Sequence, residues 1–222
     1  MIESRTNKTS AKDCLRKMLK SFITPISLLY NYQTSTLINT IRINFYSIWI
    51  SKQFPHIGKN VFFFRKLTLV GAKYIQIKDS TTFGYGCILT AIDRYNSQKF
   101  SPNISIGTDS HFGEYNHITA INSIIIGNGV LTGRWITITD NAHGKSNYED
   151  LCLPPHKRDL YSKGPVIIGD KVWIGDKVSI MPNVKIGESC IIAANSVVTK
   201  DIPPFCIAAG SPAKVIKKIK PL

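Results

Sequence analysis

Between two tightly patterned stretches the chain carries a long polar segment, Thr139-Asp-Asn-Ala-His-Gly-Lys-Ser-Asn-Tyr-Glu-Asp150, followed by Leu153-Pro-Pro-His-Lys-Arg-Asp-Leu160 and Tyr161-Ser-Lys-Gly-Pro165. A loop of this length inside a compact domain is usually functional or disordered, and rigid flanks are where a chemical site is best held. His143 stands near its start. A neutral imidazole accepts a proton near neutral pH, and a general base of that kind contributes about 10²- to 10⁴-fold to a reaction rate. His111 and His117 lie upstream and could face the same groove or serve as corner residues, whereas His56 and His156 have no motif around them. Asn116, in Glu114-Tyr-Asn-His-Ile118, carries an amide that can donate to one oxygen and accept from another. The same amide could instead form part of an asparagine ladder inside the fold. Cys14, Cys87, Cys152, Cys190 and Cys206 form no CxxC pair and no nucleophile motif beside His143. Reduced thiols and direct, non-covalent catalysis are therefore expected, with neither a disulfide frame nor a cysteine zinc site.

The flanks explain how such a loop would be positioned. Ile168, Ile174, Ile180, Ile186, Ile192 and Val198 fall at every sixth position. A period of six suits neither an amphipathic helix nor a two-faced strand, but it suits the short faces of a parallel β-helix, with three units to a coil. The same period runs upstream in sets of three: Ile57, Phe63, Leu69; Ile77, Phe83, Leu89; Ile106, Phe112, Ile118; Ile126, Thr132, Ile138. The phase slips between sets, most widely from Asp93 to Asn103 and across the polar segment, as expected of loops at coil corners. Glycine, Asn and Asp after the aliphatic residue (Gly58-Lys-Asn60, Gly107-Thr-Asp109, Gly127-Asn128, Gly187-Glu-Ser189) are expected to make the tight corners.

At 222 residues and 43% hydrophobic content the chain suits one good core and a soluble, cytoplasmic protein, and the polar, basic first twenty residues do not read as a signal peptide. Residues 21–50 are apolar but interrupted by Asn, Gln, Thr, Ser and Arg42, against a membrane span; the spacing from Ser35 to Ile50 predicts a helix capping the open end of the solenoid. The expected organisation is a basic, helical extension over 1–55, the β-helix over 56–206 with a protruding loop at 140–165, and a short C-terminal tail helix over 207–222. Charge gathers at the ends: residues 1–55 hold eight Lys/Arg against two acids, and 200–222 hold five Lys against one Asp. Such poles suit an anionic partner: coenzyme phosphates, a nucleotide- or lipid-linked sugar, or peripheral contact with the inner membrane surface. Nucleic acid fits poorly, since no recognition-helix, RRM or zinc-finger signature accompanies the charge.

The runs Pro165-Val-Ile-Ile-Gly-Asp-Lys-Val-Trp-Ile-Gly175, Pro182-Asn-Val-Lys-Ile-Gly187, Ala194-Asn-Ser-Val-Val-Thr-Lys-Asp-Ile-Pro-Pro204 and Ala209-Gly-Ser-Pro-Ala-Lys-Val-Ile-Lys217 resemble the C-terminal half of hexapeptide-repeat acetyltransferases, in particular the maltose/galactoside and capsular-polysaccharide O-acetyltransferases. The resemblance is strong over 104–219, thinner over 57–103, and says nothing firm about 1–50. It implies an all-β, left-handed parallel β-helix, a homotrimer with active sites in the grooves between subunits, acetyl-coenzyme A as donor with no metal, and a saccharide acceptor in cell-surface polysaccharide assembly. By the match, His143 is the general base and Asn116 an acceptor contact; Asn141 and His117 are further candidate acceptor contacts by their place beside it. On the donor side it implies Trp173, Gly175, Asp176 and Ala194 along the pantetheine arm, a tryptophan at such a place being more often a packing residue beside the groove, and Thr199, Lys200, Lys214 and Lys217 near the phosphates. Ala120-Ile-Asn122 stands where the family often has an acidic acceptor contact, a departure that bears on which sugar is taken. An N-acyltransferase on an amino sugar or a xenobiotic acetyltransferase of the same fold, and a non-enzymatic or metal-binding β-helix using His111, His117 and His143, are the alternatives.

Overall fold

The computed structural model describes residues 3–220. The chain divides into two compact units, residues 1–44 and 45–222. The first contains helix α1 (Glu3–Leu29) and most of helix α2 (Tyr32–Ser51). The last turns of α2 belong to the second unit, where they cover the first coil of the solenoid. There Ser47 is buried and its hydroxyl accepts the Phe63 N–H at 2.9 Å, Tyr46 accepts the Leu67 N–H at 3.1 Å, and Ile50 joins the core. A terminal coil otherwise exposes a full ring of apolar side chains and unpaired backbone groups, which is why it needs a cap. Among the described residues no helix is long and apolar enough to cross a membrane.

From His56 onward the chain visits three parallel sheets in turn, one strand of each per coil, as the six-residue period requires. The first face is built from 56–57, 75–77, 103–106, 123–126, 166–168 and 185–186; the second from 62–63, 82–83, 111–112, 131–132, 173–174 and 191–192; the third from 68–70, 88–91, 117–120, 137–139, 179–180 and 197–198. Ile57, Ile77, Ile106, Ile126, Ile168 and Ile186 share one inward row, and Leu69, Leu89, Ile118, Ile138, Ile180 and Val198 another. On the second face Phe63, Phe83 and Phe112 stack with ring centroids 5.1 and 4.8 Å apart. Burying each such side chain contributes roughly 1.5–3 kcal/mol, so the repeat of one apolar residue in six specifies the whole stack.

The corner chemistry divides between two residues. Three positions after the inward aliphatic, Asn60, Asp109, Lys171, Lys177, Asn183, Ser189 and Asn195 all adopt left-handed backbone, with φ between 54° and 62°. The glycine directly after the aliphatic does a different job: a Cβ on Gly107 would lie 2.4 Å from the Gly127 carbonyl oxygen, so its role is close approach between coils, not a positive φ. Side chains at these corners also tie coil to coil. The Asp170 carboxylate accepts the Asn128 N–H at 2.7 Å, and that backbone N–H, helped by the Asn128 amide, holds the acid below the usual carboxylate range.

All the phase slips occur at one corner, where the third face passes to the first: Val70 to Ile75, Ala91 to Asn103, Ala120 to Ser123 and Thr139 to Val166. The two long insertions thus emerge from the same edge of the solenoid, on either side of the tight Ala120–Ser123 turn.

The C-terminal tail helix expected over 207–222 is not formed. Cys206–Gly210 instead continues the second face parallel to 191–192, and Ala213–Lys218 folds back on it antiparallel through Gly210, whose φ is 105°. The last coil leaves an open sheet edge, and pairing it satisfies backbone groups that a helix could not. The β-branched Val215 and Ile216 favour that strand.

Candidate functional site

The polar segment leaves the third face at Thr139 and is anchored at once. Asp140 is fully buried; one carboxylate oxygen accepts the Ile121 N–H at 2.9 Å and the other the Asn122 N–H at 2.8 Å. A buried carboxylate is tolerated only when hydrogen-bonded in this way, and the Asn141 side-chain amide adds a third donor at 3.0 Å. Ala142–His143 then pairs antiparallel with Leu160–Tyr161, placing His143 opposite Leu160. Between those strands Asn147 caps the short helix Tyr148–Leu151, and the Arg158 Nε donates to the Leu153 carbonyl at 2.9 Å.

The other insertion at this corner is a hairpin, Arg94–Tyr95 with Gln98–Lys99. Its base is held by Asp93, which accepts the Tyr74 hydroxyl at 3.1 Å and meets Lys73 at 3.0 Å, contacts that keep the Asp93 carboxyl below its usual range, Lys73 foremost. The hairpin grips the polar loop. Gln98 Oε1 accepts the Leu160 N–H at 2.7 Å while its Nε2 donates to the Leu160 carbonyl at 3.1 Å. The Tyr95 hydroxyl donates to the His156 carbonyl at 2.8 Å and lies 3.4 Å from His143 Nδ1, with the two rings edge to face at 5.4 Å. A phenol has one proton. With that proton given to His156, Tyr95 can only accept from His143, which puts the imidazole proton on Nδ1 and leaves the Nε2 lone pair free. Tyr95 and Gln98 were not singled out from the sequence. The one signal pointing to them was that their stretch and the His143 loop interrupt the repeat at equivalent places.

The expected acceptor contacts separate. Asn116 is a correction: it is 2% exposed, its side-chain oxygen accepts the Ile136 N–H at 2.8 Å, and its amide donates to the Thr132 hydroxyl. Both ends are consumed inside the coil, so it is a rung of the interior and not a sugar contact. Asn141 is half-buried and spends its amide on Asp140 and the Thr119 carbonyl, in the anchor below His143. His117 projects outward from the third face between Ile88 and Thr137, and burial lowers its pKa. His111 lies on the second face, where its Nδ1 meets the Thr82 hydroxyl at 2.8 Å. The three histidines are thus distributed over two faces and a loop, and among the described residues no three His, Cys, Asp or Glu side chains gather as a metal-binding group.

Four of the expected donor contacts do converge. Trp173, Gly175, Asp176 and Ala194 line one groove of about 440 Å³ with Gly133, Ile191, Ile192 and Ala193. It follows the second face and its corner with the third. Trp173 is 51% exposed over this groove, and the Asp176 carboxylate accepts the Arg134 N–H at 2.8 Å, fixing the corner. Thr199 and Lys200 are not among its walls; they are exposed just after the last strand of the third face. Lys217 sits opposite Ile207, which continues the row of Trp173 and Ile191, and Lys214 sits opposite Ala209, so the tail hairpin carries its lysines along the same sheet. Within one chain the groove and His143 stand at different corners of the three-sided section.

The family described as bacterial transferase hexapeptide (six repeats) matches residues 165–200. The chain is 36% identical over 148 residues to WbbJ of Escherichia coli K12, provisionally named a lipopolysaccharide biosynthesis O-acetyl transferase, covering 65% of this chain and 71% of that protein. Among solved structures it is similar to a maltose O-acetyltransferase from Clostridium difficile 630, with 28% identity, a TM-score of 0.52 and coverage of 77% of this chain and 73% of that one. It shares a fold with AntD, an N-acyltransferase from Bacillus cereus solved with dTDP and 3-hydroxybutyryl-CoA, at 23% identity and a TM-score of 0.64 over 78% of this chain and 87% of that one.

Proposed function

The chain belongs to the hexapeptide-repeat acetyltransferases, and from that premise we propose that it moves an acetyl group from acetyl-coenzyme A to a saccharide hydroxyl in cell-surface polysaccharide assembly, with His143 as general base. The hand of the coil is the left-handed one its family implies, and the cytoplasm, where the coenzyme is kept, is the compartment this reading calls for.

The observation that carries the proposal is the division of labour around the solenoid. The groove lined by Trp173, Gly175, Asp176 and Ala194 is largely apolar and floored by closely approaching backbone, which suits an extended pantetheine arm. The lysines of the tail hairpin lie further along the same sheet, where coenzyme phosphates would find flexible positive charge. His143 stands at another corner. A direct transfer needs donor and base together, so the groove of one subunit must lie beside the histidine of the next, and a homotrimer with three such grooves meets that need.

In the step itself the acceptor hydroxyl oxygen attacks the thioester carbonyl carbon as its proton passes to His143 Nε2. Collapse of the tetrahedral adduct breaks the carbon–sulfur bond, and the imidazolium returns the proton to the departing coenzyme thiolate. Tyr95 accepting from Nδ1–H keeps the ring in the tautomer whose Nε2 can begin this cycle. No cysteine acyl carrier is required.

Thermal unfolding with and without acetyl-coenzyme A tests the donor, because a ligand bound only by the native state must raise the midpoint. Release of free thiol on addition of sugars tests the acceptor. A stabilised protein that acetylates amino sugars but no hydroxyl would replace the O-transfer reading with N-transfer, and no stabilisation at millimolar coenzyme would remove the donor.

A further inference from the structure

Helix α1 has two sides of different character. Leu15, Leu19, Phe22 and Ile26 follow one another at four, three and four residues, a single stripe on an α-helix. They are 59%, 50%, 70% and 62% exposed. Immediately alongside, Lys12, Arg16 and Lys20 repeat every fourth residue as a basic ridge, with Lys17 beyond it. Asp13, the one acid between residues 11 and 29, points away from the apolar stripe and sits one turn before Arg16 and Lys17, on the flank of the basic ridge. None of the ion pairs among the described residues engages these four cations.

We infer that α1 is an interfacial helix that lays its Leu15–Ile26 stripe into an anionic phospholipid surface, with Lys12, Arg16 and Lys20 on the headgroup phosphates. An exposed apolar stripe needs a partner, and its chemistry says which. A helix lying in a bilayer interface buries such a stripe by a few ångströms, while long basic side chains beside it extend to the phosphates. A second copy of the same helix fits less well, since packing stripe on stripe antiparallel would bring the two basic ridges together, and packing parallel would leave both ridges without an anionic partner. A transmembrane placement is not open to this helix, which is not apolar enough to span. The inference stands apart from the acetyl transfer, because neither the groove nor the His143 loop contains any of these residues.

The test is flotation of the full-length protein with vesicles of phosphatidylglycerol mixed with phosphatidylcholine, and with phosphatidylcholine alone, at low and high salt. The expected result is binding to the anionic vesicles that salt weakens and little binding to the neutral ones. The triple change Lys12→Glu, Arg16→Glu, Lys20→Glu should lower partitioning by at least about a hundredfold, and Phe22→Ser with Ile26→Ser should also release the protein. Both variants should keep acetyl transfer to a soluble acceptor. Equal binding to neutral vesicles, or unchanged binding by the charge variant, would overturn the inference. So would absence of vesicle binding together with a fall in solution mass for Phe22→Ser, Ile26→Ser, since that result would assign the stripe to self-association.

Discussion

The Tyr95 hydroxyl lies 3.4 Å from His143 Nδ1 while donating its only proton to the His156 carbonyl at 2.8 Å. The two residues are far apart in sequence and come from separate insertions, which meet because both leave the solenoid at the same corner. Tyr95→Phe removes the acceptor and leaves the ring in place. A hydrogen bond of this kind is worth about 1 kcal/mol, so a fall of about fivefold in kcat is expected, with the coenzyme KM unchanged. A change confined to KM would detach Tyr95 from His143.

His143→Ala should leave the fold and coenzyme affinity intact, because the side chain is exposed and its backbone pairing with Leu160 survives. Acetyl transfer should drop at least about a hundredfold. Calorimetric titration with the coenzyme alongside steady-state rates separates the two effects, and an unaltered rate would take His143 out of the mechanism.

If the groove of one subunit works with the histidine of another, two inactive variants should rescue each other. Protein co-expressed from His143→Ala and a groove-blocking Ala194→Trp chain should regain activity in mixed assemblies, since some interfaces then carry both intact halves. Ala194 is suited to this because it is exposed and lines the groove, whereas a Cβ at Gly175 would lie 2.6 Å from the Ala194 backbone nitrogen and disturb the coil stacking; Ala194→Leu serves as a milder block. Failure of every mixture to exceed its parents would place donor and base in one chain.

Asp140→Ala strands the buried N–H of Ile121 and leaves that of the exposed Asn122 to water. Unsatisfied buried donors cost about 1–3 kcal/mol each. The midpoint of urea unfolding should fall accordingly, and the loop bearing His143 should become protease-sensitive before the solenoid does. A loop that stays resistant would show that the Gln98 clamp on Leu160 suffices.

Burial lowers the His117 pKa relative to the unfolded chain. The unfolded state therefore takes up the proton first as pH falls, and stability is lost between the ordinary imidazole value of about 6.5 and the lower folded one. His117→Gln should flatten that acid slope while leaving stability at neutral pH within a few tenths of a kcal/mol. Denaturant midpoints measured across this range decide it, and an identical slope in the variant would assign the loss to another group.

How much was legible depended on whether a feature was periodic. Ile57 to Val198 could be set in register by counting, because each inward side chain stacks on its counterpart one coil away and the spacing between them is the coil length. Trp173, Gly175, Asp176 and Ala194 came as a set from the resemblance to the hexapeptide-repeat acetyltransferases, and the stacking of one coil on the next brings Asp176 beside Ala194. Asn116 was misread as a sugar contact because type and neighbourhood do not tell an outward amide from one turned into a corner and spent on Ile136 and Thr132. The tail was misread because the demand that made it a strand comes from the open edge at Ile191–Ile192, which is not local to residues 213–218.

The amino-acid sequence by itself determined the three-sided solenoid, its inward rows and the break in the pattern that carries His143, since a repeating apolar residue acts through local spacing and identical neighbours. Only the tertiary structure decided that the Asp93 hairpin and the His143 loop share one corner, that Gln98 and Tyr95 grip Leu160 and His156, and that Asp140 pins Ile121 and Asn122. Those contacts join insertions of irregular length, whose meeting is set by where the coils bring their ends and by which buried polar groups must be satisfied there.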